Sequence, residues 1–386
     1  MPRRKPAHKP SSAPKILPKA STLLAWYDKY HRRLPWRSPP GKPADPYVVW
    51  LSEIMLQQTT VTAVRPYFEA FFSRWPSVEK LAEAEVEAVM TAWAGLGYYA
   101  RARNLHKCAG IVAREFDGKF PDKQEELLKL PGIGPYTASA ITSIAFQKYA
   151  VVMDGNVERV MARVFAVADP LPKSKAKLSE FARSLTPKKR PGDYAQAVMD
   201  LGATVCIPKS PRCNLCPWSD NCAGLAQGIA VTLPKKQTKT ERPMRTGQAF
   251  WMVRKDGCVL LRRRPNRGLL GGMTEVPCSA WDSKPSTTTQ STDSYGQNSS
   301  LELSNTKISC EAPLLKARWK LIPGTISHTF THFHLELSVV GANLTPAQAR
   351  SLDGPEAIWT PVEKIGRVGL PSVMRKVAQH AIKGMG

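Results

Sequence analysis

The hydrophobic period changes partway along this chain, and that change limits the fold more than any other feature. From Ser21 to about Gly228 apolar residues recur at intervals of three and four, as in Leu23, Leu24, Trp26 and Tyr27, and again in Ile54, Met55, Val61 and Val64. Such spacing lays an apolar stripe along one face of a helix. Helix-ending signals interrupt it at Pro39-Pro40-Gly41, Phe120-Pro121-Asp122 and Asp169-Pro170, and this half has no strand alternation worth naming. Past a basic stretch over 229–245, with Lys235, Lys236, Lys239 and Arg242, the pattern switches. Gln248–Val253 and Gly257–Arg262 read as short strands joined by the turn Lys255-Asp256-Gly257. Leu335–Val340 reads as another strand and Pro371–Ile382 as a closing helix. The expectation is an all-α domain over 21–228, a linker over 229–245 and an α+β domain over 246–386. Within the latter, 283–300 is dominated by Ser, Thr, Gln and Asn, cannot bury a core, and is expected to be a flexible loop.

The chain has 386 residues, with 55 Lys+Arg against 31 Asp+Glu and a formal charge of +24. A balance so far from neutral favours a polyanionic partner and says nothing of fold. Residues 1–20 add Arg3, Arg4, Lys5, Lys9, Lys15 and Lys19, with no acidic residue before Asp28, and prolines spoil any amphipathic helix. A disordered basic arm that strengthens non-specific attraction to phosphates is expected there. No apolar run approaches the ~18 residues of a membrane helix, and no secretory signal is evident. The expected setting is therefore reducing, a bacterial cytoplasm, and disulfides are not assumed.

Four of the eight cysteines, Cys206, Cys213, Cys216 and Cys222, are spaced C-x6-C-x2-C-x5-C, with Pro208 and Pro217 pinning the loop. Four thiolates in a compact loop suit a soft metal. Zinc sites more often use paired short knuckles. One short pair flanked by two longer arms favours a 4Fe–4S cluster over structural zinc, with disulfides third. Lys209 and Arg212 inside the loop would face phosphates. Cys108, Cys258, Cys278 and Cys310 are scattered and read as buried free thiols.

Leu130-Pro131-Gly132-Ile133-Gly134-Pro135 falls between two helical stretches and reads as a helix-hairpin-helix, in which Gly132 and Gly134 shape a tight turn. Backbone N–H groups at the next helix start can then hold a DNA phosphate; an ordinary helix–helix turn is the bland alternative. In Val151-Val152-Met153-Asp154-Gly155-Asn156, Asp154 reads as a helix N-cap, partly desolvated by the apolar run before it. Glu53 and Gln57 sit one turn apart in the apolar stretch Trp50–Thr59 and share a face. A carboxyl among Trp50, Ile54 and Leu56 should have a raised pKa and serve as an acid near neutrality.

The hairpin, the Asp154-Gly155-Asn156 segment and the four-cysteine loop, in that order, resemble the endonuclease III superfamily of DNA glycosylases. Leu34-Pro35-Trp36-Arg37, Ser52–Thr59, Gly95–Leu105, Met199-Asp200-Leu201-Gly202 and His328–His334 are similar to the MutY-type adenine glycosylases within it. The resemblance implies a monomer that flips adenine opposite 8-oxoguanine or guanine out of double-stranded DNA and cleaves its glycosidic bond. It implies that Glu53 protonates adenine N7, that Asp154 stabilises the cationic sugar or adds to it covalently, and that Tyr136 and Asn156 support them. Trp36, Arg37, Leu56 and Gln196 would form the adenine pocket, with Gln57 beside it. Gln58, Thr59, Leu96 and Tyr98 would enter the DNA strand, and one of Tyr98 and Tyr99 should face inward.

Bifunctional members carry a lysine where this chain has Tyr136, so the resemblance implies a monofunctional enzyme using water. The C-terminal half resembles a Nudix-like domain without the acidic helix of a Nudix hydrolase, implying recognition of 8-oxoguanine through Phe330, Thr331 and His332. His328, His332 and His334, alternating in an extended segment, would share a face, but no fourth metal ligand accompanies them. Two other readings remain: a glycosylase/lyase for oxidised pyrimidines, and a non-catalytic iron–sulfur DNA-binding protein.

Overall fold

The computed structural model describes residues 17–237, 241–265, 268–283 and 315–385. The expected arm up to residue 16 and the expected loop from 284 to 300 lie outside the described residues, as does Cys310. Backbone contacts divide the chain into two units, Met1–Ala84 with Arg103–Lys239 and Glu85–Ala102 with Thr240–Gly386. Glu85–Ala102, helical by local pattern, is grouped with the strand-bearing unit, where Arg263 reaches Glu87 at 3.2 Å.

The first unit is helical. Asp45 caps the helix Pro46–Leu56 by accepting the Tyr47 N–H at 2.8 Å, and Pro46 fills a first-turn position that has no N–H to satisfy. Trp50 on this helix is fully buried, with ring centres 5.1 Å from Phe120 and 5.9 Å from Tyr47. The helix Pro191–Thr204 runs through the middle of the unit, buried over nearly its whole length. It packs against Ala20–Tyr30, Gly155–Val164 and the π-helical turn Ile141–Ala145. A helix so enclosed must have partners for its polar groups. Asp193 accepts from Gly41 N and Arg190, and Asp200 accepts from two arginines. Close approach sets the identity of Gly192: a β-carbon there would lie 2.4 Å from the Ser143 carbonyl oxygen and 2.7 Å from Ile144 Cα. The expected hairpin joins Gln124–Leu127 to Pro135–Ala140, with Gly132 at φ 81° and a β-carbon there only 3.0 Å from Asn104. Gly134 has an ordinary φ of −94°, so Gly132 alone requires the freedom of glycine.

The second unit holds β1 (Met244–Val253), β2 (Cys258–Arg263), β3 (Thr274–Glu275), β4 (Asp282–Ser283), β5 (Lys320–Thr329), β6 (His334–Asn343) and β7 (Ala357–Pro361). Their order is β3-β2-β1-β6-β5, with β4 on β1 and β7 on β2; β1 and β6 are parallel and the other pairs antiparallel. Both faces are covered. Ala249 and Trp251 join one core with Leu335, Leu337 and the helix Ser372–Met385, while Phe250 and Met252 join another with Val340 and Ala349. A strand buried on both sides reads as a continuous apolar run, and the second half of β1, Ala249–Val253, does so. Among the described residues no helix is long and apolar enough to cross a membrane.

The close contact at Gly192 makes a stability prediction. Gly192→Ala must displace backbone, so it should lose about 1–3 kcal/mol, read as a lower thermal midpoint by far-UV circular dichroism. Gly354→Ala, whose β-carbon would meet nothing within 4 Å, should leave the midpoint nearly unchanged.

Candidate active site

A cleft of about 750 Å³ opens in the helical unit, lined by Trp36, Arg37, Glu53, Leu56, Gln57, Gln58, Thr59, Tyr136, Asp154, Asn156 and Gln196 among others. Segments more than a hundred residues apart in sequence thus meet there, and eleven residues expected at the site share one wall. Glu53 is 8 % exposed, and its Oε2 accepts the Tyr136 hydroxyl at 2.7 Å. Burial pushes its carboxyl up to about 7. The Tyr136 hydrogen bond and Arg37 oppose that rise, and the Asp154 charge adds to it. The Tyr136 phenol is itself held well above its ordinary range, first by burial and then by the two carboxylates.

Asp154 caps the helix Gly155–Val164, as its place in the sequence predicts. Its Oδ1 accepts the Val157 N–H and its Oδ2 the Asn156 side-chain amide, both at 2.7 Å. The cap leaves the carboxylate half-buried at the cleft, fixed by two donors and by the positive end of the helix. Gln57, just beyond its helix, donates to Thr137 at 3.2 Å. Gln58 stands exposed beside it with φ 60°.

Several residues at this site are absent from the sequence reading. Arg32 lines the cleft beside Arg37, and both are bound to the fully buried Asp200. Arg159 donates to Asn156 Oδ1 at 2.8 Å, to the Gly202 carbonyl at 2.7 Å and to the Cys206 carbonyl at 2.8 Å. Arg163, 1 % exposed, donates to the carbonyls of Leu233, Cys206, Ile207 and Pro208. The signal was present: Asn156, Arg159 and Arg163 recur at three and four on one helix face.

Cys206, Cys213, Cys216 and Cys222 line a common pocket with Val160, Val164, Leu201 and Val205, and Arg163 Nη1 lies 3.3 Å from Cys206 Sγ. Among the described residues no three His, Cys, Asp or Glu side chains converge closely enough for a single metal ion. Cys108 and Cys278 are buried, as expected, while Cys258 is only partly so.

Leu96 and Tyr98 belong to the other unit. Leu96 is buried, Tyr98 is exposed with φ 48°, and Tyr99 faces inward with its hydroxyl 3.2 Å from Gly95 N. The Tyr98 hydroxyl lies 3.4 Å from that of Thr331. Phe330 to Phe333 form the turn between β5 and β6, closed by Phe330 N to the Phe333 carbonyl at 2.9 Å, with Thr331 and His332 exposed at its tip. This corrects the expectation of one extended segment. His328 ends one strand, His334 begins the next and His332 sits in the turn, so the three imidazoles do not share a face.

Fold and site together define a helix-hairpin-helix base-excision glycosylase joined to a Nudix-type sheet. Residues 51–188 match the HhH-GPD superfamily base excision DNA repair protein family, and residues 248–380 match the NUDIX domain. The human adenine DNA glycosylase is 34 % identical over 411 residues, covering 92 % of this chain and 72 % of that protein. The adenine DNA glycosylase of Buchnera aphidicola from Schizaphis graminum is 30 % identical, covering 92 % and 96 %. That of Mycolicibacterium smegmatis is 41 % identical, covering 58 % and 76 %. The chain belongs to the adenine DNA glycosylase family.

Gly202 tests how tightly the site is built. A β-carbon there would fall 2.6 Å from Asn156 Cβ and 3.2 Å from its backbone. Gly202→Ala should displace Asn156 and slow glycosidic cleavage by about tenfold to a hundredfold, measured as a single-turnover rate, with DNA affinity far less affected.

Proposed function

We propose that this protein hydrolyses the N-glycosidic bond of an adenine that stands opposite 8-oxoguanine or guanine in duplex DNA. The observation carrying this reading is the pair of carboxyls on one cleft, in unlike surroundings: Glu53 buried and protonatable near neutrality, Asp154 half-buried and held by donors. A buried carboxyl that keeps its proton suits proton donation, and a carboxylate held by two N–H donors beside it suits charge stabilisation. The cleft is of a size to take a single flipped nucleoside.

In the proposed reaction Glu53 gives its proton to adenine N7, and the C1′–N9 bonding pair leaves with the base. The cationic sugar forms against the Asp154 carboxylate. Water then adds at C1′ and gives its proton to the Glu53 carboxylate, which restores the acid and leaves an abasic site. Tyr136 orients Glu53, and Asn156 holds Asp154. Trp36, Arg37, Leu56 and Gln196 enclose the base, and the turn at Gly132 and Gly134 holds the DNA backbone. No lysine lines the cleft among the described residues, which favours hydrolysis over a lyase reaction through an imine.

The four cysteines fit a 4Fe–4S cluster. All four line one apolar pocket, as the thiolates around a polynuclear cluster would. When bound it would brace the loop carrying Lys209 and Arg212. The C-terminal unit would read 8-oxoguanine through Phe330, Thr331 and His332, with Tyr98, Leu96, Gln58 and Thr59 entering the strand. The enzyme would act as a monomer in the cytoplasm.

The decisive assay uses a duplex with one adenine opposite 8-oxoguanine, treated with and without alkali. Strand cleavage should need alkali. Glu53→Gln should lose at least about 10²–10⁴-fold in rate while binding DNA normally. Because the acid must be protonated to act, the single-turnover rate should fall as pH rises through about 7. A Glu53→Gln enzyme retaining more than about a tenth of the rate would remove Glu53 from the acid role.

Thr331→Val tests the recognition turn. Loss of one hydroxyl at nearly constant volume should reduce the preference for 8-oxoguanine over guanine by about 1–2 kcal/mol, measured as a ratio of duplex affinities, with the cleavage rate once bound unchanged.

A further inference from the structure

Asp200 has no place in the reaction proposed above, yet it is the best-satisfied carboxylate near the cleft. It is fully buried, in the middle of the central helix Pro191–Thr204. Arg37 Nη1 donates to both of its oxygens at 2.7 Å. The Arg32 backbone N–H reaches Oδ2 at 2.9 Å and the Arg32 guanidinium reaches Oδ1 at 2.5 Å. Both arginines line the cleft and Asp200 does not, so it touches the site only through them.

From this geometry we infer that Asp200 is a positioning residue for the adenine pocket, holding Arg37 and Arg32 in place and offsetting the charge of Arg37, which shares the cleft with Glu53. The inference rests on the reading of Glu53 as the proton donor. The titratable and charged groups on the cleft wall are few. Arg32 and Arg37 come from the segment after the first helix, Tyr136 from the hairpin helix and Asp154 from the cap of Gly155–Val164; the central helix contributes only Gln196, Met199 and Ala203. The two arginines and the Asp200 carboxylate sum to one positive charge. Without it they sum to two, and each added cation favours the ionised form of Glu53, the form that has no proton to give. A free Arg37 side chain would also sample several rotamers instead of one.

The test is the pH profile of the single-turnover rate on a duplex with adenine opposite 8-oxoguanine, using the full-length protein at saturating enzyme. Asp200→Asn keeps the shape of the side chain and removes its charge. Its alkaline limb should move to lower pH by about one unit, with a loss of roughly tenfold at neutral pH and a smaller loss under acid conditions. Asp200→Glu, which keeps the charge, should leave the limb in place. The double variant Asp200→Asn with Arg37→Gln returns the cluster to one positive charge, and its limb should return toward that of the parent. If Asp200→Asn lowers the rate equally at all pH values with an unmoved limb, Asp200 is a structural brace and the inference is overturned. Should Asp200→Asn not fold, Arg37→Gln alone must move the limb to higher pH; an unmoved limb there overturns the inference too. A parent enzyme with no alkaline limb near neutrality, or a limb surviving in Glu53→Gln, would instead reject Glu53 as the acid.

Discussion

The site depends on keeping one carboxyl out of water. Glu53 points inward from a helix whose neighbouring side chains Trp50, Leu51, Ile54 and Met55 are all buried. Burial opposes ionisation there more than the Tyr136 hydrogen bond supports it, so the group holds its proton to about pH 7. An exposed glutamate would have lost that proton two to three pH units lower. The packing of the helical unit and the acidity of this carboxyl are therefore one property. Water admitted along the Pro46–Leu56 helix would lower the proton affinity of this carboxyl.

The second carboxylate is placed by different means. Asp154 is fixed because it caps a helix, and a cap has one geometry. The same helix then carries Asn156, Arg159 and Arg163 from the cleft to the cysteine loop. A guanidinium buried as deeply as that of Arg163 must have its donors satisfied. Carbonyls of the loop segment 206–208 and of Leu233 do so, which binds the loop to the helix whether the thiols carry metal or not. Trp218, buried within the loop, also donates to the Lys19 carbonyl at 3.1 Å, tying the loop to the start of the first helix.

What was legible in the sequence follows from how local each signal is. Glu53 stood out because its immediate neighbours are apolar, and Asp154 because Gly-Asn follows a run of apolar residues. Asp200 did not, since an acid in a helix reads as solvated unless the residues packed on it, 163 and 168 positions away, are known. The same limit hid β5. Its Lys320–Thr329 segment is largely exposed and broken by Pro323-Gly324, where the pairing with β6 shifts register between Ile322 and Thr325. Strand β1 was legible but shortened, because Met244–Gly247 pairs fully with β6 without being apolar. The three histidines misled for a related reason: period-2 spacing marks one strand, and the segment is two strands and a turn.

In the C-terminal unit the Nudix-type sheet carries an aromatic cluster that holds the β5–β6 turn. Phe330 packs among Phe333 at 4.8 Å, His328 at 4.7 Å and Trp281 at 5.8 Å, while Arg245 stacks on Phe333 and Arg264 on Trp281. Glu275, 1 % exposed, is fully engaged by Arg262 and Arg264. A carboxylate committed to two guanidiniums is not free to bind a metal. The aromatic contacts anchor the base of the β5–β6 turn while Thr331 and His332 at its tip remain in solvent. A turn anchored in this way has fewer conformations open to it than a free loop of the same length.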